Sequence, residues 1–537
     1  MSSDPATRTP ASPASAGLPA VPVTVLRAAR LVDVDVRGGA VDGPVDVVLA
    51  DGRVHAVGRP GETLAAPRGA EVVDLDGRWV LPGLWDNHVH MGQWALARRR
   101  YDVSAASSAP EAAAMVVARL RERAGRADAA TRPHGAHEDA DPDLFVAVGF
   151  RDGLWPEAPT AAVLDDAIAA AGLPPTPVVV MCGDLHSAWL STAALRRLGV
   201  TRQTTGVLRE DDWFPLMSAV HEVPRDVLDE WVADAAAAAA ARGVVGIVDF
   251  ELDDNVTAWR RRVEQGTRDL RVAAAVWREH LDGAVARGLE TGDVVPGTHG
   301  LVTQGPFKVI SDGSLNTRTA FCHDPYPGVD GPDAHGVLNV ATEELVPLMT
   351  LAARHGLHAA IHAIGDRATA LALDAFGASG AVGSIEHAQM VAPNDVVRFA
   401  DLGVTASVQP EHAMDDRDVV ERYWADRADR VFPLRTLHRA GVRLVLGSDA
   451  PVAPLDPWQA VSAAVDRARD GREPWRPDEA LPIEVALAAS VRSRVEPGRP
   501  ADVVVVDADP LTTRGDALRT MPVAGTLLAG RWTHRTL

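Results

Sequence analysis

The sequence predicts an α/β fold: a (β/α)8 TIM-like barrel with a small β-sandwich domain built from both termini. Eight apolar, strand-like runs alternate with helical stretches through the middle of the chain, which is the pattern of a parallel barrel. Short strands without helices between them occur near both ends. At 537 residues, the chain is long enough for one large barrel with attachments.

The two ends of the chain predict antiparallel strands. Residues 46–57 read as two strands around an Asp-Gly turn, and residues 501–507 form a Val-rich run between aspartates. Because both ends share this character and differ from the middle, we expect them to assemble into one unit. The β-sandwich domain is therefore assigned to residues 23–82 plus 498–537.

The barrel is expected over residues 83–497. Its eight strands are predicted at the run that ends with the His-Val-His sequence and at residues 177–181, 243–249, 305–310, 357–364, 383–387, 403–408 and 442–446. An insertion or lid is expected within about residues 91–176, because this gap is far longer than a crossover helix requires. Residues 1–22 are rich in Ala, Pro and Ser and predict a disordered tail.

Composition excludes several classes of function. The net charge of −20 opposes phosphate backbones and anionic lipids, so nucleic acid and membrane are not expected as partners. The 2 cysteines cannot form a disulfide framework. The chain has no apolar run as long as a membrane helix, and its first residues do not resemble a signal peptide. A cytoplasmic protein that acts on a small molecule is the resulting expectation.

The first candidate site is the sequence His88-Val89-His90, which ends an apolar run. In a strand, residues i and i+2 face the same side, so both imidazoles point into one space. Two neutral imidazoles at the carboxyl end of a strand suit a divalent metal. The alternative is a pair of surface histidines in a loop.

Lys308 is the only lysine of the chain and lies near the end of the apolar run at residues 305–310. A lysine desolvated near a metal can lose its proton, and the neutral amine can capture carbon dioxide as a carbamate. A carbamate offers anionic oxygens that can bridge two metals, whereas arginine stays protonated and cannot form one. The alternatives are a chance survivor in an arginine-rich chain and an ordinary lysine paired with a buried acid.

Three further candidates stand at the ends of later strands. His362 ends the fifth, His387 the sixth, and Asp449 follows the eighth. Barrel enzymes carry their catalytic groups at these carboxyl ends. Because candidates of metal-binding type occur at five strand ends in equivalent positions, the pattern favours one shared metal site over five coincidences.

The order His-x-His, Lys, His, His, Asp resembles the amidohydrolase superfamily, in the form with two metals bridged by a carboxylated lysine. Longer phrases are similar to its long branch, which includes N-substituted formamide deformylase; they lie at residues 149–156, 159–165, 184–189, 312–320, 362–368 and 407–412. The similarity runs from about residue 23 to the end of the chain. It implies a barrel with a β-sandwich built from both termini.

The resemblance also implies a ligand set and a reaction. Two divalent metal ions, with zinc expected, are held in the family by residues that correspond here to His88, His90 and Asp449 for the first ion and His362 and His387 for the second. The carbamate on Lys308, formed from carbon dioxide, would bridge them. The implied reaction is hydrolysis of a C–N bond in an amide, an N-substituted formamide or a related group, by metal-activated hydroxide. Asp449 would serve as general base and then acid.

Four residues are candidates for substrate contact. Asp184 and His186 follow the predicted second strand, His412 follows the seventh, and Arg318 lies in the loop after the fourth. Their alternatives are local capping or salt-bridge roles. The chain departs from the family pattern at two places: Asn316 stands where glycine is frequent, and residues 488–497 replace a longer segment.

Two other functions stay open at this point. One is a mononuclear deaminase of the same superfamily, although such sites usually carry glutamate just after the strand-five histidine, where this chain has Gly365-Asp366. The other is a non-catalytic barrel that has kept the fold as a binding protein. Metal content would separate these functions. The sequence leaves the substrate open, and it also leaves open a homodimer, which many relatives form.

Overall fold

The computed structural model describes residues 23–32, 34, 43–59, 69–127, 143–202, 205–221 and 223–537. The predicted tail, residues 1–22, lies outside this part of the chain. The strands of the described residues form three sheets: a parallel barrel, a sheet built from both ends of the chain, and a five-stranded sheet that we call the lid sheet.

The barrel confirms the predicted (β/α)8 fold. Its strands, labelled β1–β8 in chain order, are Leu84–Val89, Val244–Asp249, Arg271–Trp277, Val302–Ile310, Ala359–Ala363, Gly383–His387, Thr405–Val408 and Leu444–Leu446. Each strand pairs in parallel with the next from β1 to β8. All their carboxyl ends therefore meet at one mouth.

A short stretch after the helix Ile483–Ala488 completes the seam between β8 and β1. The amide of Leu446 donates to the carbonyl of Ala489 at 3.0 Å, and the amide of Trp85 donates to the carbonyl of Ser490 at 2.7 Å. The segment that looked shortened in the sequence thus satisfies the backbone groups of both seam strands directly.

The lid sheet corrects one predicted strand. It consists of Tyr101–Asp102, Phe145–Phe150, Val178–Cys182, Ser187–Leu190 and Val207–Arg209. The prediction that residues 177–181 form the second barrel strand is wrong, because this segment is the centre of the lid sheet. Its side chains enter two different apolar clusters, one on each face. The strand missing from the prediction is β3.

Four helices belong to the lid region: Ala109–Ala127, Ala161–Ala170, Thr192–Arg197 and Phe214–Val220. The helix Ala109–Ala127 packs on the Ala161–Ala170 helix, and both cover one face of the lid sheet. This region extends beyond residue 176, where the sequence placed the end of the insertion. The lid therefore brings a longer stretch of chain to the barrel mouth than the sequence suggested.

The ends of the chain share an eight-stranded sheet. Its strands are Thr24–Leu31, Val45–Ala50, Arg53–Gly58, Glu71–Asp74, Trp79–Pro82, Val503–Val506, Val523–Leu528 and Arg531–Arg535. Val80 faces Val505 across the antiparallel pair that joins the two ends. Leu26, Val47 and Val503 are fully buried in the same core. Apolar burial from both termini holds this unit together.

The remaining helices surround the barrel or follow its strands. They are Met91–Ala97, Arg225–Ala240, Asn255–Gln265, Leu281–Arg287, Thr342–Arg354, Asp366–Ser379, Pro393–Leu402, Pro410–Tyr423, Leu434–Arg439, Pro457–Asp466, Ile483–Ala488 and Gly515–Arg519. Within the described ranges, none of the helices combines the length and apolar character needed to cross a bilayer.

Candidate functional site

A cleft with about 930 Å³ of empty space opens at the barrel mouth, between the strand ends and the lid. The sequence-predicted residues that line it are His88, His90, Asp184, His186, Lys308, His362, His387, His412 and Asp449. Arg318 is not among the described lining residues. Its guanidinium carbon lies 5.6 Å from the ring centroid of Tyr423.

One group of metal-compatible ligand atoms joins the ends of β1 and β8. His88, His90 and Asp449 each place one ligand atom within 4.8 Å of the others. Asp449 Oδ1 lies 3.5 Å from His88 Nε2 and 3.4 Å from His90 Nε2. A parallel bridge between Val89 and Ala450 aligns the two strand ends. Imidazole nitrogens with a carboxylate oxygen are the donor set of divalent metals such as zinc.

A second group shares Asp449 with the first. Its other members are His387, at the end of β6, and His412, on the helix Pro410–Tyr423 that follows β7. The resemblance paired His387 with His362 instead. His362 lies beside the group, with its ring centroid 4.5 Å from that of His387 and its Nε2 3.4 Å from Asp312 Oδ1.

Several ring nitrogens of these histidines are buried without a hydrogen-bond partner among the described residues: His90 Nδ1, His387 Nδ1 and His412 Nε2. Burial lowers the pKa of His88 to about 4, and it also lowers the pKa of His387 well below the ordinary value. The imidazoles of His88 and His387 are therefore neutral at neutral pH, which is the form that binds metal. The residues present fit divalent metal ions.

Lys308 projects from β4 into the same space and is buried. Its Nζ lies 3.2 Å from His88 Nε2 and 4.4 Å from the ring centroid of Phe250. In the described chain it forms no salt bridge with a carboxylate, unlike an ordinary buried lysine. Burial lowers the pKa of Lys308 to about 8, against the opposing charges of Glu386 and Asp449. A larger share of neutral amine is the condition that carbamate formation requires.

Glu386 is a functional candidate that the sequence reasoning missed. Its Oε2 accepts a hydrogen bond from His88 Nδ1 at 2.7 Å, and its Oε1 accepts one from the Ser384 hydroxyl. Burial acts to raise the pKa of Glu386, but the His88 hydrogen bond and the charge of Lys308 hold it below its ordinary value. The signal in the sequence was an acid beside a strand-end histidine.

The lid contributes a second histidine–carboxylate pair. His186 Nδ1 lies 3.0 Å from Glu210 Oε2, and Thr319 on the barrel loop after β4 donates to Glu210 Oε1 at 2.7 Å. Burial acts to lower the pKa of His186, yet the Glu210 carboxylate outweighs it and raises the pKa to about 9. Glu210, which the sequence reasoning did not identify, thereby ties the lid to the barrel.

Two more contacts join the lid to the loop after β4. Asp184 Oδ2 accepts a hydrogen bond from the Ser314 hydroxyl at 2.8 Å. Asn316, which stands where glycine is frequent in the family, accepts one from the Gly153 amide at 3.2 Å. A Cβ atom at Gly153 would approach Asn316 Oδ1 to 2.5 Å, so a larger residue at position 153 would force the Asn316 side chain to shift. The departure at position 316 therefore anchors the lid.

Comparison with known proteins places the chain in a family. The sequence model of the Amidohydrolase family matches residues 71–534. Protein LONG AFTER FAR-RED 3 of Arabidopsis thaliana is 26% identical over 495 residues, which cover 82% of this chain and 80% of that protein. N-substituted formamide deformylase of Arthrobacter pascens is 24% identical over 548 residues, with 90% and 94% covered.

A solved structure agrees with these sequence matches. An uncharacterized metal-dependent hydrolase from Pyrococcus horikoshii OT3 superimposes with a TM-score of 0.72 at 26% identity, covering 92% of this chain and 99% of that one. Family match, sequence relatives and barrel geometry therefore lead to one conclusion: the chain belongs to the amidohydrolase family.

Proposed function

We propose that this chain is a metal-dependent hydrolase that cleaves a C–N bond in an amide, an N-substituted formamide or a related group. The observation that carries the proposal is the sharing of Asp449 by two groups of metal-compatible ligands at the barrel mouth. The similarity to N-substituted formamide deformylase supports the bond class. The structural similarity to a metal-dependent hydrolase from Pyrococcus horikoshii supports the use of metal.

The residues that would hold the metals lie at the carboxyl ends of the barrel strands, in the segment after β8 and, for His412, on the helix that follows β7. His88, His90 and Asp449 would hold one ion, His387 with His362 or His412 the other, and Lys308 as its carbamate would bridge them. Divalent metals at such a site lower the pKa of water toward about 7 and polarise a carbonyl. Two ions, zinc as the metal and the carbamate are parts of this proposal.

Asp449 is the residue best placed to move a proton. Its Oδ2 lies 3.9 Å from His412 Nε2, while its Oδ1 faces His88 and His90. Burial acts to raise the pKa of Asp449, but the neighbouring histidines hold it well below its usual range, so the group begins as a carboxylate. In the proposed cycle it takes a proton from the attacking water and gives it to the departing amine nitrogen.

Metal content tests the proposal against its two alternatives. The purified protein should carry about two divalent ions per chain, whereas a mononuclear deaminase would carry one and a non-catalytic relative none. The ions should be removable with a chelator and should restore hydrolysis when they are returned. A chain that hydrolyses amides equally well without any metal would contradict the proposal.

Two substitutions test the site itself. We expect His88→Ala and His362→Ala to abolish hydrolysis and leave the fold largely intact, because barrel strand ends carry function more than stability. His358→Ala serves as a matched control, because this histidine is exposed at the opposite end of the strand that carries His362. Wild-type turnover in a metal-loaded His88 or His362 variant would refute the assignment.

A further inference from the structure

The lid brings His186 to the cleft. This residue precedes the lid strand Ser187–Leu190, which forms an antiparallel pair with Val207–Arg209. Its ring lines the cleft, and its centroid lies 6.0 Å from that of His362 and 5.7 Å from that of Phe214. An imidazole that belongs to the lid, and not to a barrel strand, is therefore placed beside the proposed metal ligands.

The two ring nitrogens of His186 have different surroundings. Nδ1 lies 3.2 Å from Oε1 and 3.0 Å from Oε2 of Glu210, so it donates to that carboxylate. Among the residues that the structure describes, Nε2 has no hydrogen-bond partner, and the side chain keeps 12% of its surface exposed on the cleft side. Nε2 is therefore the nitrogen that a bound substrate can reach.

The backbone beside this pair adopts an unusual conformation. Leu185, just before the histidine, has a φ of 65°, and Glu210 has a φ of 44°. Both values lie in the left-handed region, which is unfavourable for residues with a Cβ atom and is found most often at functional sites. The Trp213 indole donates to the Leu185 carbonyl at 3.1 Å, and the Glu210 amide donates to the His186 carbonyl at 3.0 Å. The lid thus holds two strained residues where they bring His186 and Glu210 together.

The barrel also holds Glu210. Thr319 donates to its Oε1 at 2.7 Å, and Thr317 donates to the same oxygen at 3.4 Å. Gly313 leaves room for this contact, because a Cβ atom there would approach Thr319 Oγ1 to 2.0 Å and Glu210 Oε1 to 2.8 Å. All three residues belong to the loop after β4. The contact between lid and barrel therefore sets the orientation of His186.

Three carboxylates act on the His186 ring. Burial acts to lower the pKa of this imidazole, but the charges of Glu210, Asp184 and Asp449 raise it to about 9. The ring is then an imidazolium at neutral pH, with one N–H donated to Glu210 and the Nε2–H left for a ligand. Asp449 is the proposed proton shuttle, so a substrate that meets both residues has its reacting carbonyl between them.

We propose that His186 is a catalytic residue supplied by the lid, and that its Nε2–H donates a hydrogen bond to the carbonyl oxygen that gains negative charge when the amide is attacked. Glu210 is the residue that positions it. No proton is transferred in this role, which leaves proton movement to Asp449. The inference rests on the proposed function, because it assumes that an amide carbonyl binds between the histidine cluster and the lid. A donor already aimed at developing charge contributes about 10²- to 10³-fold in kcat.

Two replacements of His186 separate this role from packing. His186→Gln places an amide N–H near the position of Nε2, whereas His186→Phe keeps a flat ring and loses the donor. With metal-loaded protein and N-butylformamide, we expect kcat of the Phe variant to fall by about 10²- to 10³-fold while KM stays within about threefold. The Gln variant should keep at least about tenfold more activity than the Phe variant. A ring needed only for packing would give the reverse order, and that result would overturn the inference.

Glu210→Gln tests the positioning role. We expect kcat to fall by about tenfold with little change in KM, because the amide lacks the charge that holds the imidazolium. In the His186→Phe background the same change should have no further effect, since Glu210 acts through the histidine. Glu157→Gln is the control, because this lid glutamate is exposed and lies outside the cleft lining. An added loss in the double variant would contradict the positioning role.

Binding of a tetrahedral anion separates this inference from the proposed hydrolysis. Methylphosphonate resembles the attacked carbonyl in shape and charge, and calorimetry measures its affinity for wild type and His186→Phe at matched metal content. Binding at least about tenfold weaker in the variant supports the donor role, even if wild type hydrolyses no amide and the proposed function fails. Equal affinity, or no binding to wild type at millimolar concentration, overturns the inference, whereas hydrolysis of an amide would leave the proposed function standing.

Discussion

Glu386 fixes the orientation of His88. The carboxylate accepts a hydrogen bond from His88 Nδ1 at 2.7 Å, so the opposite nitrogen, Nε2, faces Lys308 at 3.2 Å and Asp449 at 3.5 Å. Both residues are almost fully buried, which strengthens the charge-assisted bond. A histidine held in one tautomer by a carboxylate is the arrangement that presents its free nitrogen to a metal.

This relationship makes Glu386→Gln informative. The amide can still accept a hydrogen bond, but it lacks the charge that makes the imidazole of His88 a stronger ligand. Loss of such a supporting carboxylate typically lowers metal affinity or activity by about 10- to 100-fold. Competition against a chelator measures the affinity, and circular dichroism checks the fold. A metal affinity within twofold of wild type would mean that the charge of Glu386 does not support His88 as a metal ligand.

Lys308→Arg should be inactive although it keeps a positive charge. Arginine stays protonated and cannot form the carbamate that is proposed to bridge the metals. The larger guanidinium would also have to fit against the Phe250 ring, whose centroid lies 4.4 Å from Lys308 Nζ. Steady-state hydrolysis at matched metal content is the measurement.

A second substitution separates the lost carbamate from the bulk of arginine. Lys308→Ala should regain part of its activity with a small carboxylic acid such as acetate or propionate, because the acid can supply the missing anionic oxygens. Carbon-13 NMR of wild-type protein under labelled carbon dioxide should show a carbamate signal that both variants lack. The absence of this signal from active, metal-loaded wild type would refute the bridge.

The barrel was predictable because its strands are buried on both faces and read as continuous apolar runs. The same property caused the one wrong strand. Val178–Cys182 is also buried on both faces, so nothing local distinguishes it from a barrel strand. Arg271–Trp277 escaped notice because its centre is Ala273-Ala274-Ala275, which has the local preference of a helix. One lid strand was counted as a barrel strand and one barrel strand was missed, so the predicted number of barrel strands was still eight.

The sequence predicted the site residues that stand at the ends of strands. It did not predict the residues that hold those side chains in place. His88, Lys308 and Asp449 stand out because parallel strands bring their carboxyl ends together. Glu386 and Glu210 contact their histidines across sequence separations of 298 and 24 residues. Such pairs depend on tertiary packing, which periodicity does not report.

Asp416→Asn should stabilise the protein at neutral pH. Burial raises the pKa of Asp416 from 3.8 to about 7, against the opposing charge of Arg151. The folded state therefore favours the protonated form of Asp416. The stability associated with this protonated side chain is fully present below pH 3.8 and is lost as the pH rises to about 7. The variant escapes this loss, so its advantage should grow between those pH values and then level off. We expect a gain on the order of 1 kcal/mol, because the side chain keeps some solvent contact.

Chemical denaturation at several pH values checks this dependence. Asp418→Asn on the same helix is the matched control, because hydrogen bonds from Arg472 hold the pKa of Asp418 below its ordinary value. Its contribution to stability is present above the ordinary pKa, so removing it should give no gain at neutral pH. A pH-independent difference between wild type and Asp416→Asn would contradict the prediction.

Asp449→Asn should keep much of the metal and lose catalysis. Its backbone has a φ of 59°, a conformation that asparagine adopts as readily as aspartate, so the fold should survive. The amide oxygen can still coordinate, but it cannot carry a proton, and losing an acid–base group costs about 10²- to 10⁴-fold in rate. A purely structural role is disfavoured, because Asp456, not Asp449, caps the following helix. Turnover within a few-fold of wild type at matched metal content would rule out Asp449 as the proton shuttle.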